Sequence, residues 1–200
     1  MGKKHKKRDD TVILPVSGES LAKLERLTRL MRQQGHAEGL NPAQWEALRY
    51  LSRANRLSNT PGALARFLGS TKGTVSQSLL LLDRRGLIER YQDEVDRRVV
   101  RLRLSQQGEE MLEEMQPASM WQSATRNISA NRIRNGVSAL RETLYMLQNH
   151  NGARTFGVCN TCIYCQRKSQ RTHHCALFAE RLSGPETRLV CREHVPKSAA

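Results

Sequence analysis

All five cysteines of this chain stand in one stretch, "CNTCIYCQRKSQRTHHCALFAERLSGPETRLVC", which runs from Cys159 to Cys191. Cys159 and Cys162 form a C-x2-C pair. That spacing lets two thiolates converge on one ion while backbone amides point at the sulfurs, as in zinc and iron–sulfur knuckles. Cys165 extends the run, and Cys175 and Cys191 follow singly. His173, His174 and His194 add nitrogen donors. Three chemistries fit. An iron–sulfur cluster would use Cys159, Cys162, Cys175 and Cys191, with Cys165 and the histidines in reserve. A structural zinc would join Cys159 and Cys162 to the C-x2-H pair of Cys191 and His194. Without metal, the thiols could switch by forming disulfides. The expectation is an iron–sulfur cluster, with zinc as the alternative, because the cysteines outnumber plausible zinc knuckles. The segment is polar and short, so it cannot fold on apolar burial alone and needs a staple. The stretches between its cysteines read as loops.

The chain has 200 residues and a formal net charge of +14. Such a balance suits a polyanionic partner, nucleic acid before membrane. No apolar run approaches the roughly 18 residues of a membrane span. The basic start "MGKKHKKRDD" is not followed by the apolar stretch of a signal peptide. The expectation is a cytoplasmic protein, where disulfides are rare and clustered cysteines are metal ligands or redox groups.

The elements that must position this chemistry can be read along the chain. Residues 1–17 form a flexible basic arm. "SLAKLERLTRLMRQQ" carries Leu21, Leu24, Leu27, Leu30 and Met31 at helical spacing. In "NPAQWEALRYLSRAN", Asn41 is an N-cap and Pro42 sits at the first helical position. Thr60 and Pro61 open a third helix, which Gly69 stops. Ser70 caps a fourth, in which Val75, Leu79 and Leu82 share a core face. "GLIERY" and "RRVVRLRLS" alternate and form a hairpin. Two further helices follow at roughly 106–127 and 131–149, the second with Leu140, Leu144 and Leu147 in one stripe. "NHNGARTFG" is a linker to the cysteine segment.

Helix, short turn, helix and hairpin, in that order, make a winged helix-turn-helix. A helix fits the major groove of B-DNA, and side chains in its N-terminal half reach base edges. Lys72, Thr74, Ser76 and Gln77 suit that role, and Ser70 and Thr71 suit a phosphate at the helix start. The hairpin carries Arg90, Arg97, Arg98, Arg101 and Arg103, able to clamp phosphates or enter the minor groove. The apolar stripe of residues 21–31 lies outside this unit and needs a covering surface, in its own subunit or a second one.

The segments "LNPAQWEALRYLSRAN", "TPGALARFLGSTKGTVSQSLLLLDRRGLIER" and "DEVDRRVVRLRLSQQGEEML" resemble the MarR family of bacterial transcriptional regulators. The resemblance covers roughly residues 20–150. It implies a homodimer joined by the first helix and the last two, a recognition helix at about 71–84 and a wing at 87–105. It also implies an Asp and an Arg at the wing, matched by Asp96 and Arg98, with one orienting the other by an ion pair and Arg97 or Arg98 reaching DNA. It implies no enzymatic activity and does not extend to the cysteine segment.

The fold expected is therefore mainly α with a small β-hairpin wing: a winged helix-turn-helix and dimerisation domain at 18–151, and a metal-stapled module at 155–195. The expected function is a dimeric, sequence-specific transcriptional regulator acting on a double-stranded DNA operator and modulated by its cysteine cluster. The alternative is a non-specific architectural DNA- or RNA-binding metalloprotein with a structural zinc. An enzyme is not expected: a zinc deaminase would need His-x-Glu ahead of Pro-Cys-x-x-Cys, and neither a phosphate loop nor a nucleophile elbow is present.

Overall fold

The computed structural model describes residues 18–33, 39–114, 117–150, 155–169 and 171–197. The basic arm expected at residues 1–17 lies outside the described residues. Helix α1 spans Gly18–Gln33, α2 Pro42–Leu51, α3 Pro61–Leu68 and α4 Lys72–Arg84. Strands β1 (Ile88–Gln92) and β2 (Val100–Leu104) pair antiparallel, with Ile88 opposite Leu104 and Gln92 opposite Val100. Helices α5 (Gln106–Glu114), α6 (Pro117–Thr125) and α7 (Ala130–His150) follow. The single helix expected over 106–127 is assigned as α5 and α6 on either side of residues 115–116. No described helix is long and apolar enough to cross a membrane.

Local signals account for the boundaries. The side chain of Asn41 accepts the Gln44 N–H at 2.9 Å, and the Gln44 side chain accepts the Asn41 N–H, closing a capping box. Thr60 caps α3, and Gly69 ends it at φ 60°, a left-handed conformation that favours glycine. The cap of α4 is Thr71 rather than Ser70: its hydroxyl accepts the Thr74 N–H at 3.2 Å. Ser70 is still in the turn, its own N–H bonded to the Ala65 carbonyl.

The core of the winged helix joins Trp45 and Leu48 of α2 and Leu64 of α3 to Val75, Leu79 and Leu82 of α4. Leu87, Ile88, Leu102 and Leu112 close it below the wing. Gly108 in α5 meets this core at its closest approach. A Cβ there would overlap the Leu87 carbonyl oxygen, so the helix can pass only without a side chain.

The cysteine segment is a β module rather than a set of loops. Strands β3 (Gly157–Val158) and β7 (Val190–Cys191) pair with each other. Strands β4 (Cys165–Arg167), β5 (Thr172–Cys175) and β6 (Glu180–Ser183) form a three-stranded antiparallel sheet. Stretches read as loops because they are polar are strands held by backbone hydrogen bonds, while the five buried cysteines and Leu182 supply the interior. Nor is all of the stretch read as a linker outside the core. Phe156 packs on Phe67 and Tyr50, with ring centroids 5.3 and 6.3 Å apart.

Two substitutions test this packing. Leu79→Ala removes a buried side chain from the core centre and should cost about 2–5 kcal/mol in urea unfolding. Gly108→Ala should cost about 1–3 kcal/mol by overpacking; an unchanged denaturation midpoint would mean that α5 does not approach Leu87 this closely.

Candidate functional site

With Val75, Leu79 and Leu82 buried, the remaining side of α4 faces outward. Lys72, Thr74, Ser76 and Gln77 are all exposed. Thr71 is exposed too, but its hydroxyl is engaged at the cap, 2.9 Å from the Thr74 hydroxyl. Ser70 is half-buried, its hydroxyl near the Leu68 carbonyl at 3.4 Å. The residues singled out for base contact therefore share the N-terminal half of one helix.

The wing separates its arginines into two groups. Arg90 pairs with Asp83 at 3.3 Å, Arg103 with Glu89 at 2.6 Å and Arg101 with Asp93 at 2.6 Å. Arg97 and Arg98 are exposed in the tip and have no ion pair among the described residues. The ion pair expected between Asp96 and Arg98 is not the one that forms: the Asp96 carboxylate accepts the Arg98 backbone N–H at 3.0 Å. Two residues apart in a tight loop, the carboxylate meets its neighbour's amide first. The orienting carboxylate is Asp93. It accepts the backbone N–H groups of Asp96 and Val95 and the Arg101 guanidinium. These bonds, that from Asp96 foremost, hold it at a pKa of about 2, below its usual 3.8.

All five cysteines line one small pocket, with Tyr164, Leu177, Phe178, Leu182 and Glu193 around them. Cys165, expected only as a reserve ligand, is part of this cluster, directly across the strands from Cys175. His194 is not. Its Nε2 lies 2.9 Å from the Thr161 hydroxyl, its ring is stacked where a Gly157 side chain would be, and burial lowers its pKa. His173 and His174 line a separate open groove with Lys168, Thr172 and Arg181. As they stand, no three His, Cys, Asp or Glu side chains among the described residues form a group that could hold a metal ion.

The sulfurs are nevertheless supplied with donors. Asn55 Nδ2 donates to Cys159 Sγ at 3.2 Å, and the Val195 N–H reaches Cys162 Sγ at 3.5 Å. The Cys191 thiol is drawn below the usual thiol range. The Cys159 thiol donating to it is the largest cause; the Glu193 N–H, the Asn55 amide and the Ser58 hydroxyl add to that, against the opposing effect of burial. Cys159 is correspondingly pushed up by giving that hydrogen bond and by burial. Burial also raises Cys165.

Asn55 and Ser58 belong to the winged helix, in residues 52–60 between α2 and α3. Sequence reasoning misses both, because a contact across 104 residues leaves no local pattern. The docking around them is extensive. The Asn55 N–H donates to the Val190 carbonyl at 2.9 Å, and the Val190 N–H to the Arg53 carbonyl at 2.6 Å. The Arg192 N–H donates to the Ser58 hydroxyl at 2.9 Å. Arg56 reaches Glu180 and Glu186 of the module, both at 3.0 Å. From the wing, Arg101 reaches back to the Arg56 carbonyl and to Asn59.

The Asp93 assignment has a pH signature. The native carboxyl titrates below the unfolded one, so its contribution is complete above about pH 3.8 and is lost as pH falls through about 2. Carboxyl-carbon NMR should find Asp93 still ionised at about pH 3, where free aspartates are mostly protonated. An ordinary titration midpoint would mean that the wing loop is not built on this carboxylate.

Residues 38–99 match the model of the MarR family. The transcriptional repressor MprA of Escherichia coli (strain K12) is 35% identical over 81 residues, 40% of this chain and 46% of that protein. The chain thus spans about half the length of the curated relatives it matches. The solved transcriptional regulator PA3341 is similar over 66% of this chain and 98% of its own, at 26% identity and a TM-score of 0.56. A MarR transcriptional regulator from Methanosarcina mazei Go1 shares the fold, at 23% identity and a TM-score of 0.51, over 68% of this chain and 96% of its own.

Proposed function

For a chain that carries a MarR-type winged helix-turn-helix, we propose the role of a dimeric, sequence-specific DNA-binding transcriptional regulator whose cysteine module is a thiolate metal site. Regulators of the MarR family are not enzymes, and the exposed polar N-terminal half of α4, on a winged helix whose hairpin tip carries two arginines without ion pairs among the described residues, is the observation that carries the DNA reading. Lys72, Thr74, Ser76 and Gln77 face the major groove, Ser70 and Thr71 lie at the phosphate by the helix start, and Arg97 and Arg98 hold backbone phosphates. Dimerisation is supported by apolar side chains outside the winged unit. Leu21, Leu24, Leu27 and Leu30 of α1 and Val137, Leu140, Leu144 and Leu147 of α7 are each more than a third exposed, a surface that a second copy would cover.

The module is supported as a metal site by its donor set. Five thiols share one pocket in a segment with few apolar residues, and N–H groups already reach the sulfurs of Cys159, Cys162 and Cys191. Those three with Cys175 are the proposed ligands, and Cys165, across the strand from Cys175, is the reserve. Four-sulfur coordination requires the thiols to turn onto a common point. The five-thiol donor set suits an iron–sulfur cluster, with a single thiophilic ion such as zinc as the alternative. Such an ion would supply folding energy to the module.

Binding to a selected site should separate this reading from an architectural one. Gln77→Ala should relax preference at one or two base positions and cost about 1–3 kcal/mol on the favoured site. Equal loss on random DNA would remove base readout from Gln77. Arg97→Ala with Arg98→Ala should weaken binding to all DNA and flatten the salt slope by about one for each phosphate no longer neutralised; an unchanged slope would take them off the phosphates. Metal analysis of protein purified without oxygen decides the module. Zinc near one per chain supports a single ion, iron with sulfide supports a cluster, and disulfides without metal would overturn the metal reading.

A further inference from the structure

We propose that Asn55 and Ser58, in the connection between α2 and α3, are positioning residues of the thiolate site, so that the winged helix itself completes the metal centre of the module. This rests on the metal reading above. Asn55 is 1% exposed and Ser58 fully buried. Both are therefore obliged to find partners, and each is bonded in a way that fixes its free hydrogen. The Asn55 side-chain oxygen accepts the Leu57 N–H at 3.1 Å, which turns the Nδ2 group toward Cys159. The Ser58 oxygen accepts the Arg192 N–H at 2.9 Å, which holds the backbone beside Cys191 and turns the Ser58 hydrogen away from that amide. A thiolate in a four-sulfur site carries excess negative charge, and N–H and O–H donors aimed at sulfur offset it. Groups in this position orient the ligands and tune the ion, and removing them typically lowers metal affinity about 10–100-fold.

The same connection holds the wing. The Leu102 N–H donates to the Asn59 carbonyl at 2.8 Å, and Asn59 Nδ2 donates to the Leu102 carbonyl and to the Tyr91 hydroxyl. Occupancy of the thiolate site therefore bears on residues 52–60 and, through Asn59 and Arg101, on the base of the wing. The coupling runs both ways.

The experiment uses the full chain and zinc(II), titrated against a competing chelator. Asn55→Asp keeps the oxygen that holds the turn but places a carboxylate against the sulfurs. Ser58→Ala removes the hydroxyl, and Ser58→Thr restores it. Zinc affinity should fall at least about 10-fold in Asn55→Asp and in Ser58→Ala, and recover in Ser58→Thr, with the winged helix still folded by circular dichroism. Cobalt(II) in place of zinc should show shifted thiolate charge-transfer bands in Asn55→Asp. Removing zinc from the unaltered protein should speed amide exchange at Asn55, Arg192 and Leu102 before it does so in α4. Wild-type affinity in both Asn55→Asp and Ser58→Ala, or exchange at those amides indifferent to zinc, would overturn the inference while leaving the metal site standing. A wild-type chain that binds neither zinc nor iron would overturn the metal site and this inference together.

Discussion

Residues 52–60 impose the constraint on which the rest of the structure depends. Asn55, Ser58 and Asn59 are all buried there, in a connection with no helix or strand of its own to satisfy them. A buried polar group without a partner costs on the order of 1–3 kcal/mol, so three such groups in one short connection would be untenable alone. Their partners come from both directions. The wing supplies Tyr91 and the Leu102 backbone to Asn59. The module supplies Cys159 to Asn55 and the Arg192 amide to Ser58. The connection is thus the joint at which the winged helix and the cysteine module satisfy each other.

This joint changes what the module is. A polar segment tethered after α7 would be an appendage, free to differ in state without consequence. Here Val190 extends its backbone pairing onto Arg53 and Asn55, and Phe156 packs on Tyr50 and Phe67. Tyr50 in turn donates its hydroxyl to the Ser58 carbonyl at 2.8 Å, and burial raises its pKa, so it stays a neutral donor. The contacts are a mixture of backbone pairing, aromatic packing and ion pairs. Arg56 with Glu180 and Glu186 is exposed and contributes little by itself. The backbone and sulfur bonds lie inside and give the joint its geometry.

The wing shows the same division between charge and geometry. Its arginines look equivalent along the hairpin. Three are tied to carboxylates of the same domain, and only the tip pair lacks ion pairs among the described residues. Asp93 shapes the loop that presents them, through backbone amides rather than through either tip guanidinium.

The sequence by itself determined whatever depends on short-range chemistry. Asn41 with Pro42, Thr60 with Pro61, and Gly69 locate helix ends because caps act over three or four residues. Val75, Leu79 and Leu82 locate the buried face of α4 because helical period is local. The alternating hairpin and the order of elements made the winged helix legible. The same reasoning erred by one residue at Ser70, where two adjacent hydroxyls can each cap and only the turn decides. It read the cysteine stretch as loops because strands built on five buried thiols lack the apolar alternation that marks a half-buried sheet. Only the tertiary structure gathered Cys165 with the other four thiols, turned His194 toward Thr161, and chose Asp93 over Asp96. It alone brought Asn55 and Ser58 to the sulfurs. Asn55 and Cys159 stand 104 positions apart, and a hydrogen bond across such a distance leaves no trace in the spacing of either partner.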